Sequence, residues 1–100
     1  MLGYGLHVIS RKKLKEAAAR HAELEAPLDV WFRIANKSSW QSLTDVQKTF
    51  SSADVVNRWT VFNIKGNRYR LITEINYRFQ RIYIRQVLSH AEYDRGNWKQ

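Results

Sequence analysis

One hundred residues, 44% hydrophobic and 26% charged, make one small domain with a single core and exclude a second. With no cysteine, disulfides and thiolate metal sites are impossible, and no apolar run approaches the length of a membrane span. The formal charge of +8 makes a polyanion the expected ligand and nucleic acid the first candidate, against the plain alternative of a basic domain with no specific ligand.

Residues 1–5 hold two glycines and no pattern, and read as a loose leader. The basic residues follow the first short apolar run, the reverse of a secretory signal, so a cytoplasmic protein is expected. Leu6-His7-Val8-Ile9 predicts a strand, and Ser10 is placed to cap a helix from about Arg11 to Leu24 with Leu14, Ala17, Ala18 and His21 on one face. Arg11, Lys12, Lys13 and Lys15 crowd the start of that helix, where cations oppose its dipole. The run is either a solvated face or serves something other than helix stability. Pro27 stops this helix and suits the first turn of another, in which Leu28, Trp31, Phe32 and Ala35 form an i, i+3, i+4, i+7 stripe ending near Lys37. Trp31 is read there as core and not as a base-stacking platform. From Ser38 to Val56 the spacing loosens, although Trp40, Leu43, Val46 and Phe50 keep a rough helical period. Thr44 with Gln47 has the pattern of a capping box, so a short helix is expected in a connector that folds over the sheet edge.

Trp59 to Leu88 alternates as three successive strands. Gly66-Asn67 is a two-residue hairpin signal that sets Lys65 opposite Arg68, Asn63 opposite Arg70 and Val61 opposite Ile72. A second turn at Arg78-Phe79 would pair Tyr77 with Gln80, Ile75 with Ile82, Thr73 with Ile84 and Ile72 with Arg85; a one-residue slip there would reverse the faces. These registers put Phe62, Ile64, Leu71, Ile75, Ile82, Ile84 and Leu88 on a core face. The opposite face carries Asn63, Lys65, Arg68, Arg70 and Arg85, then Arg81 and Tyr83, with Glu74 as its carboxylate. Arg70 and Arg85 become diagonal neighbours, and two cations that close repel unless an anion such as phosphate lies between them. An ordinary solvated sheet face is the bland reading. Ser89-His90-Ala91-Glu92 is a capping box, so a short helix starts there with His90 in its first turn and Tyr93 close behind. His90 is thus a candidate for proton transfer beside the basic face, or a structural histidine at a helix start.

No metal, P-loop, dinucleotide or nucleophile-elbow spacing occurs. Cleavage of RNA needs none of these when the 2′-hydroxyl attacks the adjacent phosphate. It needs a base, cations for the developing charge and an acid for the 5′-oxygen.

The segments HVISRKKLKEAA, WQSLTDVQKTFSSADVV, VFNIKGNRYRLI and YIRQVLSHAEYD resemble, over His7 to Trp98, the HigB toxins of type II toxin–antitoxin modules in the RelE/ParE superfamily. That resemblance implies an α+β fold, with an N-terminal strand and two helices packed on a mostly antiparallel sheet and a short C-terminal helix. It implies a metal-independent endoribonuclease that cuts mRNA, usually in the ribosomal A site, and leaves a 2′,3′-cyclic phosphate and a 5′-hydroxyl. A HigA-type helix-turn-helix antitoxin would hold it inactive, in a complex that binds operator DNA, and no membrane is involved. By position Arg70 matches the phosphate-binding arginine. His90 falls near a catalytic Arg or His, and Tyr93 corresponds to a base-stacking or proton-transferring tyrosine. Lys65 lies near basic positions where relatives carry several lysines, so the general base stays open. The reading from residues and resemblance makes Arg70, Arg85, His90 and Tyr93 catalytic, and Asn63, Lys65 and Arg68 contacts to RNA. The antitoxin is expected on the basic face or on the Arg11 to Lys15 helix. Two alternatives are a ParE-type toxin acting on DNA gyrase without catalysis and a basic RNA-binding module that does not cleave.

Overall fold

The alternation that begins at Trp59 builds a five-stranded sheet in the computed structural model, which describes residues 5–99. Strands β1 (His7–Ile9), β2 (Asp54–Val56), β3 (Trp59–Ile64), β4 (Tyr69–Asn76) and β5 (Arg81–Ser89) lie in the order β1-β5-β4-β3-β2. Only the β1 and β5 pairing is parallel; the other neighbours are antiparallel. Four helices accompany the sheet among the described residues: α1 (Lys12–Arg20), α2 (Glu25–Lys37), α3 (Leu43–Thr49) and α4 (His90–Arg95). No helix among them is long and apolar enough to cross a membrane.

The periodicity of the first half translates directly into packing. Leu14 and Ala17 of α1, and Leu28, Trp31 and Ala35 of α2, are buried against Phe62, Leu71, Ile82 and Ile84 of the sheet. The α+β expectation therefore holds, with Trp31 in the core and edge-on to Phe62 at 5.3 Å. Pro27 does sit in the first turn of α2. The helix expected to run on to Leu24 instead stops at Arg20 and continues as a 3-10 turn, Ala22–Leu24. His21, expected on the buried face, is exposed.

Two capping expectations fail. Ser10 adopts a left-handed φ of 70°, and α1 begins without a side-chain cap. In α3, Gln47 donates to the Ala53 carbonyl at 2.9 Å instead of closing a box with Thr44, and Asp45 accepts from the Gln41 amide. The cations at the start of α1 do find other work: Arg11 lies 3.9 Å from the Phe32 ring centroid and Lys13 donates to the Arg85 carbonyl. Of the expected leader, residues 1–4 lie outside the described residues, but Gly5 is not loose. A Cβ added there would stand 1.5 Å from the Asn36 carbonyl oxygen, so only glycine allows the chain to pass the end of α2 before Leu6 is buried.

The first hairpin has the expected register, Asn63 opposite Arg70 and Val61 opposite Ile72. The second does so only in part. Thr73 faces Ile84 and Ile75 faces Ile82, but a bulge then shifts the ladder so that Ile72 faces Gln86 and Arg85 is the extra residue. Beyond the bulge every side chain changes face. Val87 takes the expected core place of Leu88, and Leu88 lies opposite Arg70 on the other side. That other side is not an uncovered basic surface either. Trp59, Val61, Ile72 and Trp98 form a second buried cluster on it, with Val56, Leu88 and Tyr93 packed alongside.

Candidate active site

The turn after β5 is where local sequence fixes chemistry most firmly. Ser89 caps α4, its side chain accepting from the Glu92 amide while the Glu92 carboxylate accepts from the Ser89 amide. The box makes His90 the first residue of α4, and the His90 amide donates to the Arg68 carbonyl at 2.8 Å, tying the helix start to the hairpin. One turn on, Asp94 lies at i+4 and its carboxylate stands 3.1 Å from His90 Nε2. On the other side of the ring, His90 Nδ1 is 3.4 Å from Arg70 Nη2. A guanidinium can only donate, so Nδ1 accepts and the ring proton belongs on Nε2, directed at Asp94.

Arg70 itself is held from three directions. Its Nη1 donates to the Asn67 carbonyl at 2.7 Å and its guanidinium carbon lies 5.0 Å from the Tyr93 ring centroid. Tyr93 in turn stacks on Trp98 at 4.8 Å with planes inclined by 18°. Gly96 permits that stack: at φ 77° it reverses the chain after α4, bringing Trp98 back onto the sheet with its Nε1 donating to the Tyr93 carbonyl. Arg70, His90, Asp94 and Tyr93 thus form one connected patch backed by the second apolar cluster. It is open surface, suited to a polymer. A concavity of about 620 Å³ between α1 and α2 includes none of these residues.

The structure brings together three of the four expected catalytic side chains and leaves out Arg85. The bulge separates Arg85 from Arg70, and its guanidinium binds Glu74 at 2.8 Å, where Arg58 also approaches. No anion is needed to explain either arginine. Among the expected RNA contacts, Asn63 faces Arg70 across the hairpin and Lys65 is exposed in the turn with φ 54°. Arg68 is paired with Glu23 at 3.2 Å. A hydrogen bond from the Tyr69 hydroxyl holds the Glu23 carboxyl below its usual range, helped by Arg68 and Lys65, and the same bond pushes the Tyr69 hydroxyl up. Asp94 and Trp98 belong to the patch by their contacts with His90 and Tyr93 but were not among the expected site residues. The four-residue spacing of His90 and Asp94 on a capped helix was a readable signal, whereas nothing local announced that Trp98 folds back.

The capping box also gives this patch a pH limit. Acceptance of the Ser89 amide, chiefly, and of the Ser89 hydroxyl holds the Glu92 carboxyl below its usual range. A depressed folded value means that the stabilisation is complete above the unfolded carboxylate pKa of about 4.3 and is lost as pH falls through the folded value. Acidification below pH ~4 is therefore expected to release α4 before the sheet. Ring resonances of His90 and Tyr93 should shift ahead of the β4 amides, and simultaneous loss would contradict it.

The chain is 29% identical over 92 residues to the mRNA interferase toxin HigB of Escherichia coli strain K12, an alignment covering 89% of this chain and 88% of the relative. It is 26% identical over 93 residues, 90% of each chain, to the mRNA interferase HigB of Escherichia coli O6:H1. A family model described as the RelE-like toxic component of a toxin-antitoxin system matches residues 24–96, a span that holds the hairpin, the bulge and the Ser89 to Asp94 turn, and the chain belongs to this HigB toxin family.

Proposed function

We propose that the chain is an mRNA interferase whose reaction is carried by Arg70 and His90, with Asp94 and Tyr93 in support. The observation that favours this most is the Arg70 guanidinium within hydrogen-bonding distance of His90 Nδ1 and above the Tyr93 ring: a cation, a proton carrier and a stacking surface in one patch. The names of the relatives, mRNA interferases, point the same way. In this reading the scissile phosphate draws Arg70 off His90, freeing Nδ1 to take the proton of the 2′-hydroxyl. The 2′-oxygen then bonds to phosphorus, the bond from phosphorus to the 5′-oxygen breaks, and that oxygen takes up a proton. The products are a 2′,3′-cyclic phosphate and a 5′-hydroxyl, with no metal involved. Arg70 offsets the charge on the phosphorane and Asp94 stabilises the imidazolium. Tyr93 stacks on a base, and Asn63 and Lys65 hold the strand. Arg85 has no part in the reaction.

The substrate is message in the A site of the translating ribosome, in the cytoplasm. The partner is a HigA-type helix-turn-helix antitoxin whose acidic residues meet the basic patch or the start of α1, and the complex reaches operator DNA through the antitoxin. Expression without antitoxin should produce new 5′-hydroxyl ends inside coding sequences, detected by mapping transcript ends. A DNA-damage response with intact message would instead identify a gyrase poison of the ParE type. Salt-sensitive RNA binding with unchanged RNA length would identify a module that does not cleave.

A further inference from the structure

The β4–β5 turn lies at the other end of the sheet from His90, and it is built to hold one aromatic ring in water. Phe79 is the only exposed aromatic among the described residues, with 59% of its surface accessible. The turn beneath it is fixed. Asn76 Oδ1 accepts from the Phe79 amide at 3.0 Å, Gln80 takes a left-handed φ of 54°, and the Gln80 side chain donates to the carbonyls of Trp40 and Tyr77. Two guanidiniums attend the ring, those of Arg78 and Arg81 at 5.4 and 5.8 Å from its centroid. Neither is in an ion pair among the described residues. Arg81 and Tyr83 point to the same face of the sheet as Arg70, since both alternate with the buried Ile82.

We propose that this turn is a second RNA contact, in which a base stacks on Phe79 and the adjoining phosphates meet Arg78 and Arg81. An exposed ring costs hydration free energy where every other aromatic among the described residues is at least partly buried, and a ring between unpaired cations suits a base with its phosphates better than an apolar protein surface. Arg70 and Asn76 are six residues apart on β4, about 20 Å at ~3.3 Å per residue. One strand of several nucleotides can therefore reach from Arg70 to the turn, passing over the apolar cluster around Ile72, and occupy both ends. The proposal rests on the RNA reading of the Arg70 patch and adds a subsite that sets substrate length.

The test is binding of fluorescent 2′-O-methyl RNA, which cannot be cleaved because the attacking hydroxyl is blocked, in strands of about four and about twelve nucleotides. The full chain should bind the longer strand more tightly. Phe79→Ala should weaken the longer strand by about fivefold or more, with no change for the shorter one, and Phe79→Trp should keep the wild-type preference. Arg78→Ala with Arg81→Ala should flatten the salt dependence of the longer strand. Unchanged affinity of Phe79→Ala for the longer strand overturns the subsite, and so does lost affinity for the antitoxin with RNA binding intact. The reading it rests on is checked separately, by the loss of short-strand binding in Arg70→Ala.

Discussion

Arg70→Ala should fold, and should lower cleavage by a factor of about 10²–10³, the usual effect of removing one pre-positioned group from a developing anion. Cells expressing it without antitoxin should grow. Folding is expected to survive because Arg70 packs on the surface of the Tyr93 and Trp98 stack and is not part of the buried cluster. Losing the cation over the ring and the bond to the Asn67 carbonyl should cost about 1 kcal/mol, little enough to leave a measurable melting transition. Arg70→Lys is the sharper variant. It keeps the charge but not the fork that reaches Asn67 and His90 together, so it should recover only a small part of the activity. The measurements are thermal melts and 5′-end mapping on the same three proteins. A folded Arg70→Ala that still arrests growth and cuts message would place the reaction elsewhere.

How far the sequence reached this site depends on which interactions are local. Helix stripes, the Gly66-Asn67 hairpin and the Ser89 to Glu92 box are written within a few residues, and each was legible. The β2 strand was not, because its three residues are mostly exposed, lack alternation and exist as a strand only by pairing with β3. The bulge at Arg85 was invisible for a related reason. Alternation through Arg81 to Leu88 reads equally well with or without an extra residue, and the arrangement is decided by what packs on each side: Val87 under the helices, Leu88 beneath the folded-back Trp98. Treating the sheet as having one apolar face and one basic face placed Arg85 beside Arg70. The structure instead has two apolar clusters, and the Arg70 and His90 patch lies at the end of the sheet where α4 begins.

His90 carries the most specific chemical expectation. With Nδ1 accepting from Arg70 and the Nε2 proton directed at Asp94, the ring keeps its lone pair on the Arg70 side, which is the form required of a base. His90→Ala should therefore slow cleavage by about 10²–10⁴. The loss should be the same on a substrate whose 5′-bridging oxygen is replaced by sulfur, because a thiolate leaves without a proton while the attacking hydroxyl still needs a base. A much smaller loss on the sulfur substrate would make His90 the acid and leave the base to be found among Tyr93 and Lys65. Asp94→Asn should slow the reaction less than His90→Ala does, and equally on both substrates, since the amide can still fill the space beside Nε2 but no longer supports a charged ring. It should also leave short-strand RNA affinity unchanged, which separates a residue that orients the imidazole from one that touches the substrate.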